Sequence, residues 1–199
     1  MATVATSTRD RILAVAGERF GTRGVDAVSL DEIAAAVGVR KQTVLYWFAS
    51  KEELVDAVLE ATAAEIGVVI DAALRAASGE PLERVDTVVR AVFRLAVRRP
   101  ALLGLVRELS RLPAAHADRL RPHVDPLVAR AVDFLGREME AGRLRRGDPR
   151  LVAALAYGTV TGIATEPEAL RGVGWTATPP GLRRLRGELR AFLRAALRP

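Results

Sequence analysis

The stretch from Ser29 to Phe48, SLDEIAAAVGVRKQTVLYWF, constrains this chain more than any other. Ser29 is a strong helix N-cap, and Glu32, three residues on, can reach back to the cap amide; the pair forms a capping box. Val28 and Ile33 stand where a hydrophobic staple belongs. Leu30, Ile33, Ala34 and Val37 recur at spacings of three and four, which puts them on one helical face. Gly38 follows where that helix must stop, and glycine tolerates the positive φ of a C-terminal turn. Val39 can pack back on the first helix, and a second helix, about Arg40 to Tyr46, starts at once. Two short helices joined by so tight a turn read as a helix-turn-helix.

The second helix opens with Arg40, Lys41, Gln42 and Thr43. A helix N-terminus carries partial positive charge and free amides, so it suits a phosphate or a base edge. Arg and Lys can donate to guanine, and Gln can pair with adenine. The hydroxyls of Thr43 and Tyr46 suit phosphate oxygens. Ser29, at the first helix's start, and Lys51, at the start of a later one, join this DNA-facing set. Val44, Leu45 and Phe48 supply apolar anchorage, and Trp47 fits either task.

The run GVRKQTVLYWFASKEEL, residues 38–54, resembles the DNA-binding segment of the TetR family of bacterial repressors. Gly38, Val39, Thr43, Phe48, Ser50, Lys51 and Glu52 match its pattern. Arg40 stands where the family often has a serine cap. Leu45 stands where a tyrosine is common, which moves the expected phosphate hydroxyl to Tyr46. The resemblance covers about the first quarter of the chain; the remainder is similar only in helical layout. It implies a homodimer paired through its last two helices, a palindromic operator on double-stranded DNA, and a small-molecule effector in the C-terminal domain. Repression, relieved by the effector, is likewise implied, and no cofactor is.

Composition agrees with an all-α fold. Half of the 199 residues are apolar and only 5% aromatic, so the core must be mostly Leu, Val, Ala and Ile. No run alternates as a strand would. Without cysteine, disulfides, zinc-thiolate sites and cysteine nucleophiles are excluded. No signal-peptide core opens the chain, and the longest apolar run, 151–164, is too short to span a bilayer; a cytoplasmic protein with no membrane partner is expected. The net charge of +6 does not itself support DNA binding, because residues 1–60 hold seven basic groups against nine acidic ones. The support is local: Arg40, Lys41 and Lys51 cluster, while Asp31, Glu32, Glu52 and Glu53 fall in first turns.

Taken in order, Thr8 can cap a first helix over about Arg9 to Thr22. With the two helices already described it makes a DNA-binding domain over 1–49. Ser50 with Glu53 repeats the capping box, and a long connecting helix spans 50–78. Residues 50–199 form the regulatory and dimerisation domain. Pro81 and Pro100 open the fifth and sixth helices. Pro113, Pro122 and Pro126 punctuate the next segment, so a seventh helix should start only after them and run to about Ala141. Asp148 and Pro149 cap and open an eighth helix rich in Ala, Gly and Thr, ended by Glu166 and Pro167. A loop over 166–180 carries Trp175, and a last helix runs from about Gly181 to Leu197 with Leu182, Leu185, Leu189, Phe192 and Leu193 on one face. The late apolar stripes fit a dimer seam or the protomer's own core.

Phe93, Leu102, Leu105, Val106, Leu109, Leu127, Phe134 and Tyr157 are the candidates for lining an effector pocket, and equally for filled core. His116 and His123, separated by Pro122, are a poor metal template. No nucleophile triad, phosphate loop or paired carboxylate stands out, so no enzyme is expected. A helical small-molecule-binding protein without an operator is the competing reading.

Overall fold

The computed structural model describes residues 7–109, 111–165, 171–175 and 178–199. Among them it contains helices and no strand: α1 Thr8–Arg23, α2 Leu30–Val37, α3 Lys41–Trp47, α4 Lys51–Ala76, α5 Pro81–Arg98, α6 Pro100–Leu109, α7 Ala114–Glu140, α8 Pro149–Thr165 and α9 Pro179–Leu197. The expected end of α8 at Glu166 and Pro167 lies outside the described residues. So does the side chain of Leu182. No helix of the described residues is long and apolar enough to cross a membrane.

Packing divides the chain into two units. The first takes in residues up to Ala64 together with Arg99–Arg121; the second holds Glu65–Arg98 and Pro122–Pro199. The first unit therefore includes α6, which lies far beyond the helix-turn-helix in sequence.

In the first unit, local signals set the helix ends. Ser7, one residue before the expected Thr8, caps α1, accepting from the Asp10 amide at 3.1 Å. Ser29 accepts from the Glu32 amide at 3.2 Å, and the Glu32 carboxylate accepts from the Ser29 amide at 3.0 Å, completing the capping box. Gly38 closes α2 in the left-handed region at φ 78°, with its amide on the Ala34 carbonyl at 3.0 Å. Ser50 and Glu53 cap α4, whose Glu53 carboxylate reaches the Ala49 amide at 2.8 Å. Ile12, Ala16, Phe20, Ile33, Val44, Phe48, Leu54, Leu102 and Leu105 make the core of this unit. Helices α1 and α6 cross where both are bare. A methyl on Gly21 would fall 2.1 Å from the Ala101 carbonyl oxygen, and one on Gly104 would fall 1.7 Å from that of Gly21.

The second unit has two apolar clusters. Leu135, Met139, Leu144 and Leu197 pack with Leu82, Val85 and Phe134, and Val89, Leu189 and Leu193 pack with Phe93 and Ala156. Asp86 is buried and takes a two-point contact from Arg190, which fastens α5 to α9. The α8 start follows expectation, since Asp148 accepts from the Arg150 amide at 2.8 Å. Helix α9 begins two residues early, because Thr178 caps it and Pro179 and Pro180 fill its first turn.

The seventh helix departs from expectation. It runs unbroken through Pro122 and Pro126. Each proline removes an amide donor from a helix interior and costs about 3 kcal/mol. Both prolines are exposed, as is Asp118, so the carbonyls left without donors at 118 and 122 can take water. Burial on either side offsets the loss: Leu120 is held in the first unit, and Leu135 and Met139 in the second. Punctuation by proline ends a helix only where the flanks bury too little to carry it.

Candidate nucleic-acid interface

Helix α3 is two-sided. Val44 and Phe48 are essentially inaccessible, whereas Tyr46 is 80% exposed. Arg40, Lys41, Gln42, Leu45 and Trp47 are exposed as well, and Thr43 is half-buried. Leu45, expected as an anchor, thus lies on the outer side. Trp47 meets Tyr46 edge to face, with ring centroids 5.3 Å apart. Arg40 precedes the helix without a side-chain cap; its carbonyl takes the Thr43 amide at 2.9 Å, and the Lys41 and Gln42 amides ahead of it suit an anion. Lys51 opens α4 half-buried, and Ser29 opens α2 exposed, its oxygen engaged as a cap.

The frame around α3 is braced by charge. Arg11 of α1 donates to the Val37 carbonyl at the end of α2, at 2.5 Å. Arg23 donates to Glu32 at 2.7 Å and to the Ala27 carbonyl at 2.9 Å. The Ser29 amide and the Arg23 guanidinium hold the Glu32 carboxyl down to about 2, so it stays ionised wherever the domain would work. Three of the nine acids counted against DNA binding are committed: Glu32 to Arg23 and Ser29, Glu53 to the α4 cap, and Asp31 to Lys41 at 2.8 Å. In the sequence Asp31 reads only as a first-turn acid. Its partner ten residues on depends on the angle between two helices, which the sequence does not state.

The eight candidate pocket residues fall in both units. Leu102, Leu105, Val106 and Leu109 stand on α6 in the first unit, the first two fully buried in its core. Phe93 and Phe134 pack in the two separate clusters of the second unit, Phe134 beneath the Arg84 guanidinium at 4.7 Å. Leu127 is half-buried beside Gly67, and Tyr157 is exposed on α8. A cavity of about 10 Å³ lies between α5 and α9 against Asp86, Arg190 and Leu193, and none of the eight lines it. That volume holds roughly one water. His116 contacts Asp56 at 2.5 Å, and His123 is exposed; the described residues contain no cluster able to hold a metal.

Residues 12–58, which include the braced frame apart from Arg11, match the tetR family of bacterial regulatory proteins. The N-terminal segment is a tetR-family DNA-binding domain. No curated protein matches the chain by sequence. Solved structures match along nearly its whole length. A tetR-family transcription regulator of Shewanella sp. PV-4 is 17% identical, with a TM-score of 0.76 over 97% of this chain and 99% of that one. The ketosteroid transcriptional regulator KstR2 of Mycobacterium tuberculosis is 21% identical, with a TM-score of 0.76 over 100% and 98%. A transcriptional regulator of Saccharomonospora viridis, in complex with choline, is 18% identical, with a TM-score of 0.78 over 96% and 97%. At such identities the likeness carries the fold, and the tetR-family assignment rests on the N-terminal segment.

Within that tetR-family domain the Asp31–Lys41 pair has a measurable consequence. Both side chains are solvent-accessible, and exposed pairs of this kind hold weakly. Asp31→Asn is expected to free Lys41 for phosphate. The slope of log affinity against log salt should then steepen by about 0.9 for the one phosphate gained. An unchanged slope would mean that Lys41 does not reach the backbone.

Proposed function

We propose that the protein is a homodimeric repressor that reads a palindromic operator with α3 and releases it when a small molecule binds the second unit. The observation that carries this reading is the sidedness of α3. Val44 and Phe48 anchor in the first unit, while Arg40, Gln42 and Tyr46 stand free of the core. Such a helix end suits the major groove, where a glutamine can pair with adenine and an arginine with guanine. Lys51, at the N-terminus of α4, suits a phosphate that fixes register.

A dimer is supported by the outer faces of α8 and α9. Leu151 and Leu155 are exposed one turn apart on α8, with open space over Gly158 and Gly162, and Phe192 is exposed on α9. Two copies joined there would present two α3 helices, as operators with half-sites about 34 Å apart require. The effector is proposed to enter the second unit near Phe93, Leu127, Phe134 and Tyr157. The choline complex of the Saccharomonospora viridis relative supports a small organic ligand for this fold. Because the cavity between α5 and α9 is only about 10 Å³, binding there or nearby would have to open the packing, which is how a ligand favours one of two states.

The test is fluorescence anisotropy on duplexes tiling the DNA upstream of the protein's own gene, at moderate salt. One duplex should bind far more tightly than random sequence. Uniform binding across all of them, with and without candidate effectors, sinks the reading. Given that duplex, Gln42→Ala should cost about 1–3 kcal/mol of discrimination at one base pair and leave phosphate contacts intact. Unaltered preference at every position would remove Gln42 from base reading.

A further inference from the structure

Glu108 is a buried acid that neither the DNA-reading helix nor the proposed effector site uses. It sits one residue from the end of α6, where a carboxylate opposes the helix dipole and does nothing for α6 itself. Its Oε2 accepts from the backbone amide of Val25 at 3.0 Å, across eighty-three residues of sequence. Val25 lies in the short link between α1 and α2, and it too is buried. The carboxylate reaches that link over a bare backbone, for a methyl on Gly24 would stand 3.3 Å from the same oxygen. Arg111 pairs with the other oxygen at 3.4 Å. The link has few other ties: the Gly24 amide on Phe20 at 2.9 Å, the Val28 amide on Val25 at 3.3 Å, and Arg23 on Ala27. A buried amide with no acceptor is strongly disfavoured, so losing Glu108 would drive Val25 toward water. The direction in which α2 leaves the link sets where α3 stands.

We propose that Glu108 is a positioning residue for operator reading: from α6, outside the family-matched segment, it fixes the α1–α2 link through the Val25 amide and so aims the recognition helix. The inference rests on the DNA-reading role proposed above. A misaimed α3 still meets phosphates but no longer matches base edges, so specific binding suffers and random binding does not.

The experiment compares Glu108→Gln and Glu108→Leu in the full-length protein, against the operator duplex and a random duplex. The glutamine keeps an acceptor oxygen and should stay within about threefold of wild type for both duplexes, since a neutral acceptor replaces a charged one. The leucine should lose tenfold or more on the operator and less than twofold on the random duplex. Its helical content and assembly should match wild type. Equal losses on both duplexes, wild-type selectivity in Glu108→Leu, or failure of the glutamine to rescue would each overturn the role. Hydrogen exchange at Val25 in the wild type is an independent readout. Its amide should be protected to the level of the α1 core, and rapid exchange there would refute the contact whatever the variants do. If the wild type itself selects no duplex, the proposed function fails; if it does and Glu108→Leu selects equally well, only the present inference fails.

Discussion

Gly104→Ala should lower the unfolding midpoint by roughly 6–12 °C, the shift about 3 kcal/mol produces in a chain of this size. The added methyl would stand 1.7 Å from the Gly21 carbonyl oxygen and 2.6 Å from its carbon. Both are backbone atoms of a buried helix, so no rotamer change relieves the clash; α6 must move off α1. Overpacking by one methyl group typically costs about 1–3 kcal/mol, and contact with backbone belongs at the upper end. Gly17→Ala, on the α1 helix that Gly104 abuts, is the control. Its methyl would meet Val58 at 3.5 Å, an ordinary contact. Alanine's better helix propensity should then leave that variant unchanged or up to about 1 kcal/mol more stable. Thermal and urea unfolding followed by circular dichroism separate the two. If Gly104→Ala melts with the wild type, the close crossing of α1 and α6 is wrong, and with it the inclusion of α6 in the first unit.

That crossing also marks what the sequence could and could not disclose. The α2–α3 segment was legible because its signals are local. A serine, a glutamate three residues on and a glycine one helix later each satisfy backbone groups within a few residues, and the structure uses all three as expected. The two sides of α3 followed from spacing alone, except at Leu45. Gly21 and Gly104, by contrast, are glycines eighty-three residues apart in two different helices, and nothing in either helix announces the other. Glu108 reads as an ordinary acid on an amphipathic helix until the Val25 amide is seen beside it. The prolines of α7 misled for a related reason. Their cost is local and visible, whereas the burial that offsets it comes from Leu120 on one side and Leu135 and Met139 on the other. The pocket candidates were chosen for apolar character, which cannot distinguish a residue that closes a core from one that borders an open space. Phe93 and Phe134, both half-buried, pack against two separate apolar clusters.

Leu155→Glu should turn the proposed dimer into a folded monomer. The inner side of α8, with Val152, Ala153 and Ala156, packs in the second unit, while Leu155 is 70% exposed on the outer side. In an isologous seam a residue near the two-fold axis faces its own copy, so one substitution sets two carboxylates against each other. A lone protomer loses nothing by the change, because Leu155 already contacts water there. Sedimentation should therefore report half the mass with unaltered helical content. The operator should suffer far more than the fold. Holding both half-sites at once raises avidity by about 10²–10⁴ over a single one, so binding to the palindrome should weaken by that range, about 3–5 kcal/mol. Affinity for an isolated half-site should stay as in the wild type, since α3 is untouched. This half-site control separates a seam on α8 from a general loss of structure. A variant that remains dimeric and binds the palindrome normally would put the seam on another face, and the exposed leucines of α8 would then need a different partner.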